Sequence, residues 1–193
     1  MILSHKHRFI FVAIGKTGTT SIESYLRTLP IVKNRAPKHF SLQEIINSYE
    51  NVCDYLKFAF ARNPFDRAVS MYFQWKKPHS EYKDKYGTRK MLFDLANKYS
   101  FKKFIANTGA FHFNGHHMVE KINYEIDFIG RFEKLQEDFN QACDIIGISR
   151  CKLPHLNKTT RKHYTEYYDD EARQIVAEIF TKDLEVFGYE YGE

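Results

Sequence analysis

Six consecutive apolar residues, Phe9-Ile-Phe-Val-Ala-Ile14, run straight into Gly15-Lys16-Thr17-Gly18-Thr19-Thr20-Ser21 and then into a helical pattern. The run is too short for an independent helix and lacks the alternation of a half-exposed strand. It reads as a strand buried on both faces, the kind that parallel sheets contain. Beyond it, Ile22, Tyr25, Leu26 and Leu29 recur at helical spacing and set one apolar face, while Thr20 and Glu23 have the spacing of a capping box. Between strand and helix, the first-turn N–H groups, the hydroxyls of Thr17, Thr19, Thr20 and Ser21, and the Lys16 ammonium converge where a helix dipole favours an anion. A nucleoside-triphosphate loop needs a further glycine at the position held here by Ile10, inside the strand, so an ordinary ATP or GTP site is disfavoured. The alternative is a tight turn in which Gly15 and Gly18 serve the backbone alone, with no ligand.

The same strand-then-helix order returns twice. Leu56-Lys-Phe-Ala-Phe-Ala61 is followed by Arg62-Asn63-Pro64 and a helix with Phe65, Ala68, Val69, Tyr72 and Phe73 on one face. Asn63 suits the N-cap and Pro64 the first helical position, where its missing N–H costs nothing. Ser70 falls outside the apolar stripe, on a polar arc with Asp66, Arg67 and Gln74. A third strand, Ile126-Asp-Phe-Ile-Gly130, leads to a helix over 133–146 with Leu135, Phe139, Ala142 and Ile146 as its core stripe, ending near Gly147. Asp169 and Asp170 open a last helix whose inner face carries Ala172, Ile175, Val176, Ile179 and Phe180. This repetition predicts an α/β protein: a three-layer, P-loop-like fold with a central parallel β-sheet flanked by helices, in one domain over residues 1–193. Ligands of such sheets lie beyond the carboxyl ends of the strands, where Lys16 and Arg62 both fall. Residues 75–103 are rich in Lys and Tyr and read either as surface helices or as a wall that binds an acceptor.

A net charge of +5 without a polybasic tail points to anionic small molecules or acidic glycans, and no nucleic-acid recognition motif is present. Cys53, Cys143 and Cys151 are scattered and form no CxxC pair, which argues against a disulfide framework or structural zinc and for a reducing compartment. The first strand begins too early to leave room for a signal peptide, and no apolar run reaches membrane-spanning length, so a soluble, cytoplasmic protein without membrane insertion is expected. His112, His116 and His117 sit among Gly109 and Gly115 in a segment that reads as loop without an HExxH pattern; no metal is predicted.

Taken together, the Lys16 loop and the second motif resemble the sulfotransferases that use 3′-phosphoadenosine 5′-phosphosulfate (PAPS), particularly their carbohydrate branch. In that family the loop reads Pro-Lys-Thr-Gly-Thr/Gly-Thr-Ser and binds the 5′-phosphosulfate. Here only Gly15 departs from it, in place of Pro. The resemblance implies that Lys16, Thr17, Gly18, Thr19, Thr20 and Ser21 hold that group. Arg62-Asn-Pro-Phe-Asp-Arg-Ala-Val-Ser70 matches the family's second element, which implies that Arg62 and Ser70 hold the 3′-phosphate. On its own, Arg62 reads equally as a surface partner of Asp66 or Asp54. Phe128-Ile-Gly-Arg-Phe-Glu133-Lys-Leu-Gln-Glu-Asp138-Phe looks like the family's later strand and helix. Leu153-Pro-His-Leu-Asn157-Lys158-Thr159-Thr160 resembles its cofactor-covering loop, which adds Lys158, Thr159 and Thr160 to the implied site. The likeness is weak over residues 75–125, where the acceptor is chosen.

The implied reaction is in-line sulfuryl transfer to a hydroxyl of a carbohydrate, with a base taking the acceptor proton and Lys16 stabilising charge on the bridging and leaving oxygens. A sulfonate carries less charge than a phosphoryl group, so no obligatory Mg²⁺ is expected. His39, after the first helix where relatives carry a His or Glu base, is the expected base, with Glu44 as substitute. A nucleotide kinase with an unusual P-loop and a non-catalytic anion- or glycan-binding module are the rival readings.

Overall fold

The computed structural model describes residues 1–31, 41–76, 88–108, 117–122, 126–156 and 161–193. The chain divides into two compact units, one comprising Met1–Arg62 and Met118–Lys158, the other Asn63–His117 and Thr159–Glu193. The first unit holds a four-stranded sheet in the order β1 (Ile2–Ser4), β2 (Phe9–Phe11), β3 (Leu56–Ala61), β4 (Phe128–Arg131). β2, β3 and β4 are parallel, as the uninterrupted apolar runs require, whereas β1 pairs antiparallel with β2. The expected parallel strands thus form the centre of the sheet, and β1 adds an antiparallel edge that makes it mixed. Ile2-Leu3 is too short a run to announce a strand, but four polar residues, the last of them a left-handed Arg8 (φ 51°), turn it back onto β2.

One face of the sheet places Phe9, Phe11, Phe58 and Phe60 against Ile22 and Leu26 of α1 (Thr19–Leu26) and Phe139, Ala142 and Ile146 of α7 (Leu135–Ile146). Phe11 and Phe58, direct cross-strand partners, have ring centroids 5.1 Å apart. Each such buried ring contributes roughly 1.5–3 kcal/mol. Ile10, Val12, Ala59 and Ala61 on the opposite face are equally buried, so neither face meets water and helices flank the sheet. The remaining helices of this unit, α2 (Leu42–Ser48) and α6 (Met118–Ile122), pack on each other.

The expected capping box at Thr20 and Glu23 does not form. α1 starts two residues earlier, with Gly18 as an N-cap that offers no side-chain bond, and Glu23 lies buried within the helix, 3.4 Å from Arg27. The third strand-to-helix junction also differs from expectation, because a 3₁₀ turn (Phe132–Lys134) stands between β4 and α7. α7 ends as expected at a left-handed Gly147 (φ 70°).

The second unit is helical: α3 (Pro64–Trp75), α4 (Thr88–Lys98), α5 (Phe101–Thr108), α8 (Asp170–Ile179) and α9 (Thr181–Phe187), with a 3₁₀ turn at Tyr164–Tyr167. Asn63 Oδ1 accepts the Phe65 N–H at 3.0 Å, Pro64 follows, and Asp169 caps α8 by accepting from Ala172 N at 2.9 Å, all as the sequence predicts. Leu92 and Ala96 of α4 and Phe101, Phe104 and Ile105 of α5 join Phe65, Val69, Tyr72, Val176 and Phe180 in one core. These two helices thus supply core as well as surface, and their irregular period arises because only a few positions of α4 face inward. Arg67 is a second correction. It is 1% exposed, with its guanidinium 5.7 Å from the Phe180 ring, so it does not share the solvent-facing arc assigned to Ser70 and Asp66.

Gly130 lies opposite Phe60 in the β3–β4 ladder, and a Cβ there would come 2.3 Å from the Phe60 ring. That ring is itself fully buried and has nowhere to move. Gly130→Ala is expected to destabilise the protein by about 1–3 kcal/mol, read as a lower urea midpoint with an unchanged m-value.

Candidate active site

Three consecutive parallel strands deliver one residue group each to the carboxyl end of the sheet. β2 continues through buried Val12, Ala13 and Ile14 into the Lys16 loop, β3 ends at Arg62, and β4 ends at Arg131 beside Phe132. The loop backbone is set by alternating handedness: Lys16 has φ 71°, Gly18 has φ 79°, and Thr17 between them stays in the ordinary negative range. Alternation of this kind turns successive N–H groups towards one side and makes a nest for an anion. The first turn of α1 adds donors, since Gly18 supplies no side-chain cap and helix geometry leaves the leading N–H groups without intrahelical acceptors.

A lysine in the left-handed region costs about 1 kcal/mol, and Arg62 offsets that cost. Its Nη1 donates to the Lys16 carbonyl at 2.8 Å, and its guanidinium lies over the Phe132 ring at 3.9 Å to the centroid. Arg62 is 7% exposed. It is thus no surface residue; Asp54 pairs with Arg8, and Asp66 with Arg161. Phe132 and Leu135 also close the loop from beneath, for a Cβ on Gly18 would lie 2.7 Å from Leu135 Cδ2 and 3.4 Å from Phe132 Cδ2.

The loop hydroxyls divide into two pairs. Thr17 Oγ1 and Thr19 Oγ1 are buried and both donate to the Ile14 carbonyl, at 2.9 and 2.6 Å. A hydroxyl has one hydrogen, so these two fasten the loop to the end of its strand and offer an anion only their backbone N–H groups. Thr20 is exposed, and Ser21 Oγ accepts from Leu156 N at 3.4 Å, which leaves its own hydrogen to donate. Thr20 and Ser21 are thus the side-chain donors that remain for a ligand.

Of the residues singled out in the sequence, Lys16, Thr17, Gly18, Thr19, Thr20, Ser21 and Arg62 come together in the first unit. Ser70 lies on α3 of the second unit, half-buried and two turns from the helix start. His39, Lys158, Thr159 and Thr160 lie outside the described residues, as do His112 and His116; His117 packs edge-on against Phe180 at 5.4 Å. Phe132, Leu135 and the anchoring role of Arg62 escape a sequence reading, because each depends on a contact between segments far apart in the chain.

Glu44 fits the role of substitute base poorly. Ser41 donates to its Oε2 from backbone N at 2.6 Å and from Oγ at 2.8 Å, while Glu44 N returns a bond to Ser41 Oγ, completing a capping box. These bonds favour the carboxylate and hold its pKa below the ordinary value, the wrong direction for a base at neutral pH. Burial pushes the Cys143 thiol up to about 12, so it is a packing group and not a nucleophile. Elsewhere, a surface groove of about 430 Å³ involves His7, Arg8, Asp54, Lys57 and Asp127 at the opposite end of the strands. Arg8 pairs there with Asp54 and Lys57 with Asp127, so its charge is nearly balanced, unlike that of the Lys16 loop. Among the described residues no cluster of His, Cys, Asp or Glu is arranged to hold a metal ion, and no helix is long and apolar enough to cross a membrane.

A buried parallel strand, an alternating-φ turn and an uncapped helix start define an α/β protein with a strand–loop–helix of the P-loop type. The profile of the sulfotransferase family matches residues 1–190, and the chain belongs to that family. Carbohydrate sulfotransferase 11 of mouse and that of rat are each 26% identical to it, over 98% of this chain and 66% of theirs, so the chain spans just under two thirds of these relatives. Among solved structures it is similar to a sulfotransferase from Alicyclobacillus acidocaldarius (16% identity, TM-score 0.44, 92% of each chain). A mouse sulfotransferase solved with PAP is similar as well (14% identity, TM-score 0.49, 94% of this chain and 85% of that one).

The two loop glycines should respond oppositely to substitution. Gly18→Ala forces a side chain into left-handed backbone and against Leu135, with an expected loss of about 1–2 kcal/mol. Gly15 is not left-handed, and a Cβ there meets nothing within 4 Å, so Gly15→Ala should be neutral or stabilise by about 0.5 kcal/mol. Chemical denaturation of both variants beside the parent checks the contrast.

Proposed function

We propose that the protein transfers the sulfuryl group of PAPS to a hydroxyl of a carbohydrate, with both units belonging to one sulfotransferase domain. The observation that carries this reading is the Lys16 loop, where an alternating-φ backbone, two remaining hydroxyls and a lysine surround the start of α1, with Arg62 locked on the loop's own carbonyl. Such a cradle suits a compact tetrahedral anion, and membership of the family supports the 5′-phosphosulfate as that anion. The carbohydrate acceptor rests on the names of the mouse and rat relatives.

In this reading the acceptor oxygen attacks sulfur in line. The bond from sulfur to the bridging oxygen breaks, and 3′-phosphoadenosine 5′-phosphate (PAP) leaves with the electron pair. Backbone N–H groups of the loop, Thr20, Ser21 and the Lys16 ammonium stabilise charge on the sulfonate and bridging oxygens, where fixed donors lower the barrier most. The acceptor proton goes to His39, the base that the family resemblance implies. Glu44, already committed as a helix cap with a lowered pKa, leaves that role to the histidine. The second motif assigns the 3′-phosphate to Arg62 and Ser70, and the later loop adds Lys158, Thr159 and Thr160 as cover.

Transfer of labelled sulfate from PAPS to a panel of glycans tests the activity. Lys16→Ala should lower turnover about 10²–10³-fold. His39→Ala should lower it by about 10²–10⁴-fold while leaving PAP affinity within a few-fold of the parent. A His39→Ala protein of full activity would remove that residue from the mechanism, and a parent protein that transfers no sulfate to any glycan would leave the carbohydrate reading without support.

A further inference from the structure

After α7 the chain turns at Gly147 and folds back so that residues 151–156 run beside α7 and reach α1. One side chain fixes this return. Gln136, in the first turn of α7, accepts from Leu153 N at 2.8 Å through Oε1 and donates to the Cys151 carbonyl at 2.9 Å through Nε2. Nε2 also donates to Asn140 Oδ1 at 2.9 Å, so the amide's orientation is fixed by three partners. The Leu153 side chain, between the two bonded backbone groups' ends, is buried with Phe139 and Ala142. At its far end the segment meets the anion cradle: Leu156 N donates to the Pro154 carbonyl at 2.9 Å and, more weakly, to Ser21 Oγ at 3.4 Å. His155 and Leu156 are exposed beside that helix start.

This arrangement decides what Ser21 can do. By accepting the Leu156 N–H, its oxygen is held in place and its hydrogen is turned away from that contact, towards any anion at the first turn of α1. If residues 151–156 are released, the Leu156 N–H no longer holds the Ser21 hydroxyl oxygen. Gln136 lies outside both sequence motifs of the loop and of Arg62, and its amide is used up by Leu153, Cys151 and Asn140. Its effect on a ligand therefore passes through the segment it holds.

We propose that Gln136 is a positioning residue for the anion cradle, holding residues 151–156 so that Ser21 is oriented towards the bound 5′-phosphate end of the nucleotide. The inference rests on the reading that PAP and PAPS bind at the Lys16 loop. Gln136→Met keeps the length and the helical preference of the side chain and removes both backbone bonds. Two neutral hydrogen bonds of ordinary strength correspond to a loss of about tenfold in PAP affinity if the cradle depends on them.

The experiment is calorimetric titration of PAP into the parent and into the Gln136→Met and Lys16→Ala variants, with amide hydrogen exchange of Leu153 and thermal midpoints measured on the same samples. The expected result is a faster-exchanging Leu153 amide in Gln136→Met, a midpoint within a few degrees of the parent, and PAP binding weakened about tenfold. Gln136→Glu retains the acceptor for Leu153 N and should fall between parent and Gln136→Met. PAP affinity within twofold of the parent in a Gln136→Met protein whose Leu153 amide exchanges faster overturns the positioning role while the cofactor reading stands. A parent protein that binds no PAP, or whose PAP affinity survives Lys16→Ala unchanged, overturns the cofactor reading and the positioning role with it.

Discussion

The 2.8 Å bond from Arg62 to the Lys16 carbonyl is the contact on which the anion cradle depends. Lysine in the left-handed region is unfavourable by itself, and a turn that alternates the sign of φ over residues 16–18 needs something outside the turn to hold it. Arg62 does so from the next strand, and Phe132 from the strand after that supports the guanidinium from below. Three neighbouring parallel strands therefore each contribute one part to a loop of a few residues. The parallel register of β2, β3 and β4 puts their carboxyl ends at one level, and this is why the parts meet.

The same geometry separates residues that a motif treats alike. Lys16-Thr-Gly-Thr-Thr-Ser21 presents four hydroxyls, yet Thr17 and Thr19 spend their hydrogens on Ile14 and secure the loop to β2. Thr20 and Ser21 are left to face a ligand. Gly18 is needed for its positive φ and for the room that Leu135 takes, whereas Gly15 is under neither constraint. The family's proline at that position is replaced here by a glycine that has open space around it and no left-handed backbone to maintain.

Much of the fold was legible because it rests on local chemistry. The runs ending at Ile14, Ala61 and Gly130 read as strands, the first two largely buried, and Asn63-Pro64, Asp169 and Gly147 mark helix ends through their own capping geometry. What escaped depends on partners distant in the chain. β1 is a run of two large apolar residues whose strand character comes from pairing with β2. Arg67 looks like a surface residue on its helix until Phe180 covers it. Within the site, the Lys16 loop and Arg62 were readable as types at a spacing. The bond between them, the ring of Phe132 and the fork of Gln136 appear only once strands and helices are assembled. Thr20 and Glu23 show the converse case: their capping-box spacing was present, but the demand for a left-handed Gly18 moved the helix start forward and left the box unused.

In the proposed function this loop, with Arg62 beside it, receives a nucleotide carrying a 5′-phosphosulfate and a 3′-phosphate in place of a nucleoside triphosphate. Parallel calorimetric titrations of the unmodified protein with PAP alone and with ATP plus Mg²⁺ test it most directly. PAP is expected to bind at least tenfold more tightly, and adenosine 5′-phosphate, which lacks the 3′-phosphate, to lose most of that affinity. Preferential binding of ATP with Mg²⁺, or equal binding of PAP and adenosine 5′-phosphate, would contradict it.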